Sequence, residues 1–271
     1  MRSKTRALAE LAEQNQRLAR EVERLRKRAD EDADLSFLFV MTYGRSGSTL
    51  ISGLLNSIPG YLIRGENRHA LHHLFGYHRT LAVEKGKGPA KAYRTPTHPF
   101  FGIGDVPLAA SLSGIRRLVL ETLLRPHAAT RVVGFKEIRW YGEDMEEYVA
   151  WLRRVFPGAR FLVNTRAHES VLASGWWAQG DREHNAAHLA ETERRILAVA
   201  AELGDAAYHV HYDDYVADQT VLRGLYDWLG EPWDEASVRA TMAVRHSVCP
   251  ARPGTGQARA RLSRSSGTAP R

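Results

Sequence analysis

The sequence predicts a three-layer α/β domain, with a central, mainly parallel sheet and helices on both faces. Three stretches carry this. In FLFVMTYGRSGSTLISGLL (residues 37–55) an apolar segment of strand length, Phe37–Met41, enters a small-residue turn; Leu50, Ile51, Leu54 and Leu55 then recur at helical spacing. In RVVGFKEIRWY (residues 131–141) a buried-type strand, Val132–Phe135, precedes an amphipathic helix over Glu143–Phe156 that Pro157-Gly158 ends. ARFLVNTRAHESVLASGWW (residues 159–177) repeats the pattern: a strand at Phe161–Val163, a turn at Asn164-Thr165, and a helix carrying Ala167, Val171, Leu172 and Ala173.

The N-terminal segment differs in kind. Leu8, Leu11, Asn15, Leu18, Val22 and Leu25 alternate spacings of three and four, which is the a/d seam of a coiled coil with Asn15 at an a position. A buried asparagine there favours parallel two-stranded pairing, so residues 5–29 predict a homodimer. A solvated amphipathic helix packed on its own domain is the competing reading. Residues 30–36 (DEDADLS) form an acidic link into the first strand. The expected units are therefore a coiled-coil helix and linker over 1–34, one domain over 35–249, and a tail over 250–271.

Charge follows the same division. The net charge is +7, of which the first 34 residues contribute +1 and the last 22, with five arginines and no acid, contribute +5. A nearly neutral body with a basic tail argues against a nucleic-acid-binding domain. No stretch reaches membrane-spanning length, and MRSKTRALAE opens without the apolar core of a secretory signal. The single cysteine, Cys249, leaves no intrachain disulfide or cysteine metal cluster and suits a reducing cytoplasm.

The turn after the first strand is the first candidate site. Gly44, Arg45, Ser46, Gly47, Ser48 and Thr49 sit where a strand gives way to a helix, which aims backbone N–H groups at an anion. The glycines permit close approach, the three hydroxyls add donors, and Arg45 adds a planar, permanent cation. A nucleoside-triphosphate loop needs G-x-x-x-x-G-K-[ST]; here the glycines are too close and no lysine precedes Ser48 or Thr49. A smaller anion fits better, and a tight turn without a ligand is the bland alternative.

The remaining elements follow in order. After Pro59-Gly60, Tyr61–Ile63 reads as a short strand, and Glu66 stands at its C-terminal end, where crevices form in open α/β sheets. A carboxylate there can take a proton from an acceptor hydroxyl; its competing role is a salt bridge to Arg64 or Arg68. Arg68 is a weaker candidate for orienting substrate. His69 and His73 are four apart, but no third ligand is evident, so no metal is expected. Residues 76–110 read as an irregular insertion or lid, with His98 as second choice of base, and Ile115–Leu124 reads as helical. Lys136 closes the Val132–Phe135 strand and points into the same crevice as Arg45, where it can neutralise charge growing on a leaving phosphate; a surface lysine is the alternative. Glu137 is either a partner of Arg139 or another base. Arg166 and Ser174 are eight apart, a little over two helical turns, so one guanidinium and one hydroxyl can grip one phosphate. His184–Ala201 reads as a helix, Tyr208–Tyr212 as a strand, and Val221–Leu229 as a helix stopped by Gly230 and Pro232.

YGRSGSTL (Tyr43–Leu50) resembles the 5′-phosphosulfate loop of sulfotransferases that use 3′-phosphoadenosine 5′-phosphosulfate (PAPS). The likeness extends over roughly 35–235 and is thin over 76–130. It implies a P-loop-like sulfotransferase fold and PAPS as co-substrate. It assigns a catalytic base to Glu66, which, like the base of tyrosylprotein-type and several bacterial sulfotransferases, follows the loop and a glycine. It assigns the strand-end lysine to Lys136, and 3′-phosphate binding to Arg166 and Ser174. It also suggests that Arg245, His246 and Arg252 cover the nucleotide. The acceptor, a saccharide or natural product in this reading, is not legible. Two other functions fit parts of the pattern: an atypical P-loop kinase of a nucleotide or small molecule, against which the missing loop lysine counts, and a non-catalytic coiled-coil scaffold.

Overall fold

A computed structural model describes residues 13–18, 20, 35–88 and 92–244. Residues 13–18 and 20 are helical and exposed. Most of the predicted seam (Leu8, Leu11, Val22, Leu25), the acidic link 30–34, Cys249 and the residues Arg245, His246 and Arg252 lie outside the described residues.

Among the described residues five strands form one sheet: β1 (Ser36–Met41), β2 (Tyr61–Arg64), β3 (Val132–Glu137), β4 (Arg160–Thr165) and β5 (Ala207–His211), in the order β2-β3-β1-β4-β5. Every pairing is parallel. Such strands are buried on both faces, which is why they read as continuous apolar runs. The alternation within β1 divides the core. Phe37, Phe39 and Met41 face one side with Val133, Phe135, Phe161 and Val163. Leu38 and Val40 face the other with Leu162, Val210 and Ile63.

Helices cover both sides. Over the second face lie α1 (Ser48–Asn56), then, later in the chain, segments around Tyr215, Leu225 and Val238. Over the first lie α2 (Ala70–Gly86), α3 (Leu108–Val119, continuing through a wider turn at Leu120–Leu124) and α4 (Met145–Val155). A short α5 (His168–Leu172) follows β4, and α6 (Arg182–Leu203) returns over the first face, opened by Asp181, whose side chain accepts from the N–H groups of Glu183 and His184. The chain closes with α7 (Tyr212–Ala217), α8 (Arg223–Leu229), which ends at the left-handed Gly230, and α9 (Glu235–Met242). Among the described residues no helix is long and apolar enough to cross a membrane.

Three expectations shift. Residues 76–86 are helical, not irregular: α2 buries Leu71, Phe75 and His78 on one side, but its polar and glycine content blurs that stripe in the sequence. The predicted strand Tyr208–Tyr212 gives up Tyr212 to α7. The helix after Arg166 ends at Leu172, so Ser174 lies beyond it in extended backbone.

Gly134 fixes the centre of the sheet. It sits opposite Leu38, and a Cβ there would lie 1.6 Å from the Leu38 carbonyl oxygen. Neither backbone can yield without parting β1 from β3. Gly134→Ala is therefore expected to cost more than about 4 kcal/mol, in the exceptional range for one substitution, and to abolish the cooperative melt followed by circular dichroism.

Candidate active site

The strand order places the site. From β1 the chain moves outward to β2 and returns through β3, while β4 and β5 lie on the other side. The turn after β1 is thus a topological switch point, flanked by the ends of β3 and β4, where ligand crevices form. A cleft of about 820 Å³ opens there, lined by Gly44, Arg45, Gly47, Ser48, Thr49, Glu66, Lys136, Arg166 and Ser174, with an apolar wall that includes Ile138, Trp176 and Tyr212.

The turn keeps its shape through two left-handed residues, Arg45 (φ 70°) and Gly47 (φ 79°). Glycine is needed for contact as well as for φ. A Cβ on Gly44 would lie 2.1 Å from the Trp176 ring, and one on Gly47 would lie 2.0 Å from the Tyr212 ring. Buried polar groups hold the turn from beneath. The Thr42 hydroxyl donates to the Asn164 carbonyl (2.6 Å) and lies 2.6 Å from Ser46 Oγ. Asn164 Nδ2 donates to the Ser46 carbonyl (2.9 Å), Tyr215 donates to Asn164 Oδ1 (2.9 Å), and Trp177 Nε1 donates to the Gly44 carbonyl (2.9 Å). Ser46 is wholly buried, so its hydroxyl shapes the turn and does not face the cleft; Ser48 and Thr49 do.

The end of β3 holds the loop after β2 from two sides, because consecutive strand residues point to opposite faces. Lys136 Nζ lies 2.6 Å from Glu66 Oε1 in the cleft. Glu66 therefore is ion-paired with Lys136 and, more distantly, with Arg139 (Nη1 4.0 Å from Oε2), and with neither Arg64 nor Arg68. Arg64 donates to the carbonyls of Leu124 and Arg125, and Arg68 is exposed. Glu137 faces away from the cleft, 3 % exposed. Its carboxylate accepts from the N–H groups of Asn67 (3.2 Å), His69 (2.9 Å) and Ile138 (2.8 Å) and from Arg139 Nη1 (3.3 Å). It secures a loop in which Arg68 and His69 are both left-handed (φ 55° and 65°), a costly conformation for residues with a Cβ. With its oxygens so occupied, Glu137 is a clamp on the loop that carries Glu66, and its pairing with Arg139 is realised.

Arg166 and Ser174 come together with Arg45 despite the short helix between them. Arg45 Nε donates to Ser174 Oγ (2.8 Å), and Arg166 Nη1 donates to the Arg45 carbonyl (3.1 Å). The Arg166 guanidinium lies 4.5 Å from the centre of the Tyr212 ring, with Asp213 Oδ1 3.9 Å from its Nε. Arg68 and His98 are not among the cleft-lining residues; His98 Nδ1 accepts from the Phe100 N–H (3.1 Å) within its own loop. Among the described residues no group of three or more side chains forms a metal site.

The Sulfotransferase family model matches residues 38–235, which contain all of these groups. The chain belongs to the sulfotransferase family. Solved structures that the chain resembles include two sulfotransferases and a kinase. One, from the olefin synthase of Synechococcus PCC 7002, is 20% identical, with 78% of each chain covered and a TM-score of 0.46. A Mycobacterium avium sulfotransferase is 16% identical, covering 82% of this chain and 71% of the other, with a TM-score of 0.43. A thymidylate kinase from Candida albicans is 11% identical, covering 72% and 93%, with a TM-score of 0.38. No curated protein sequence matches. Two cleft residues of this sulfotransferase-family chain escaped the sequence reading. Tyr212 reads in the sequence as part of the last strand, and the adjacent pair Trp176-Trp177 gives no sign of which ring reaches the cleft. The structure buries Trp177 and leaves Trp176 on the cleft. A tyrosine at a strand-to-helix junction was the one available signal.

Proposed function

We propose that this chain transfers the sulfuryl group of PAPS to a hydroxyl of a saccharide or natural product. The observation that carries the reading is that Arg45, Lys136, Arg166, two loop hydroxyls and one carboxylate, Glu66, paired with Lys136, line a single cleft. Three cations against one acid give it a net positive charge suited to an anion charged at both ends. The donor set fits the co-substrate: loop N–H groups, Ser48, Thr49 and Arg45 would hold the 5′ end, and Arg166 with Ser174 the 3′-phosphate. PAPS supplies an electrophilic sulfuryl group and departs as adenosine 3′,5′-bisphosphate.

The chain's own part is alignment, charge and one proton. Glu66 takes the proton from the acceptor hydroxyl as that oxygen bonds to sulfur. Lys136 meets the charge left on the phosphate oxygen as its bond to sulfur breaks. The catalytic unit is residues 35–249, paired through 5–29 and located in the cytoplasm. Calorimetry tests the donor: adenosine 3′,5′-bisphosphate is expected to bind in the presence of a chelator, and ATP with magnesium to bind far more weakly. Preference for ATP with magnesium would sink the reading in favour of a kinase; binding of neither would leave a scaffold. Arg166→Ala is expected to weaken adenosine 3′,5′-bisphosphate about 10- to 100-fold, the worth of a charge-assisted hydrogen bond, and 5′-AMP less than about twofold. Equal losses for the two would contradict the 3′-phosphate assignment. Mass spectrometry of metabolite extracts incubated with enzyme and PAPS then finds the acceptor by its gain of one sulfuryl group.

A further inference from the structure

Tyr43 immediately precedes the anion loop, and it reaches across to Arg166 at the end of β4. Its hydroxyl accepts from the Arg166 N–H (2.9 Å), lies 3.0 Å from the Arg166 carbonyl oxygen, and donates to Glu193 Oε2 on α6. Glu193 Oε1 in turn lies 3.2 Å from His168 Nε2. Arg166 is the first residue after β4, so its N–H sets the direction in which the side chain leaves the backbone. The side chain then closes a ring, donating to the carbonyl of Arg45, two residues beyond Tyr43. Burial, then the hydrogen bond to Glu193, push the Tyr43 phenol well above the ordinary tyrosine range. It therefore stays a neutral hydroxyl that donates and accepts at once, as this position requires.

We propose that Tyr43, held by Glu193, is a positioning residue that ties the 5′-anion loop to Arg166, so that the nucleotide's two charged ends are gripped as one unit. This rests on the PAPS reading. Tyr43 touches no ligand-facing surface of the cleft; it acts through Arg166. A ring that only filled the core would serve both ends of a nucleotide alike, whereas this hydroxyl serves the end that Arg166 holds.

Calorimetry on the full chain separates the two. Wild type, Tyr43→Phe, Arg166→Ala and the double variant are each titrated with adenosine 3′,5′-bisphosphate and with 5′-AMP. Tyr43→Phe is expected to weaken the bisphosphate about 5- to 10-fold, the worth of a neutral hydrogen bond, and 5′-AMP by less than about twofold. The double variant is expected to be no weaker than Arg166→Ala, because residues acting through one another do not add. Equal losses for both nucleotides, or losses that multiply in the double variant, overturn the proposal alone. A wild type that holds the two nucleotides equally overturns the PAPS reading and this proposal with it. If Tyr43→Phe does not fold, Glu193→Ala carries the same expectations and the same refutation.

Discussion

Glu66→Gln is expected to lower kcat by about 10²- to 10⁴-fold, the usual contribution of a general base, while affinity for adenosine 3′,5′-bisphosphate stays within about twofold. The side chain is 36 % exposed on the cleft, close enough to Lys136 to share a hydrogen bond and open enough to meet an acceptor. Glutamine keeps the size and can still accept from Lys136, so the loop and the nucleotide contacts survive. It cannot hold a proton. The rate of PAPS consumption with the acceptor found by mass gain, beside calorimetry on the same variant, makes the comparison. A near-normal rate would remove Glu66 from the role. Among the described residues it would leave no ready substitute, since Glu137 is enclosed by main-chain N–H groups and His98 does not reach the cleft.

The clamp on that loop gives a reason for the precision of the site. Lys136 and Glu137 are neighbours on β3, yet they grip the 65–69 loop from its two sides. In the proposed reaction one residue supplies charge and the other sets the loop that carries Glu66. A sequence shows the two as adjacent charges and cannot tell them apart, because the distinction is which face of the strand each occupies at its end. The same limit explains Ser46. Three hydroxyls in one turn read as three donors, but the left-handed kinks at Arg45 and Gly47 rotate Ser46 inward onto Thr42.

Other parts were legible for physical reasons. The strand β1, its turn and α1 are local in the chain, so their pattern is complete within nineteen residues. The strands β3 and β4 betray themselves by unbroken apolar runs, since both faces are covered. What the pattern lacked was order across the sheet. That β3 lies between β1 and β2 brings Lys136 onto Glu66, and the placement of β4 beside β1 brings Arg166 onto Arg45. These contacts join residues far apart in sequence and depend on tertiary packing alone. Ser174 shows the converse: the sequence spaces it from Arg166 as two turns of one helix, whereas the helix between them is only five residues long. Convergence at the strand ends, and not two turns of helix, puts them in one cleft.

Lys136→Met is expected to lower kcat by about 10²- to 10³-fold, the loss seen when one preorganised charge stabiliser is removed from a transition state. Lys136 is 9 % exposed at its side chain, so its charge acts with little screening by water. It faces two demands. In the free chain it pairs with Glu66; in the proposed transfer it also meets the negative charge growing on the departing phosphate. Methionine fills the same space without charge, so the fold is expected to be kept while Glu66, left with the more distant Arg139, and the departing phosphate both lose the Lys136 charge. Because Glu66 and Lys136 touch, their effects are coupled, and the Glu66→Gln, Lys136→Met double variant should fall short of the product of the single losses. Arginine at 136 restores a charge but in a broad, planar head, and should recover less than a tenth of the lost rate where a compact ammonium is required. Steady-state rates for the four variants beside the wild type, with thermal melts as a control on folding, provide the check. A Lys136→Met protein that melts early yet turns over at the wild-type rate would make this lysine a strut of the β2 loop and nothing more. The charge for the leaving group would then have to come from Arg45 and the loop amides alone.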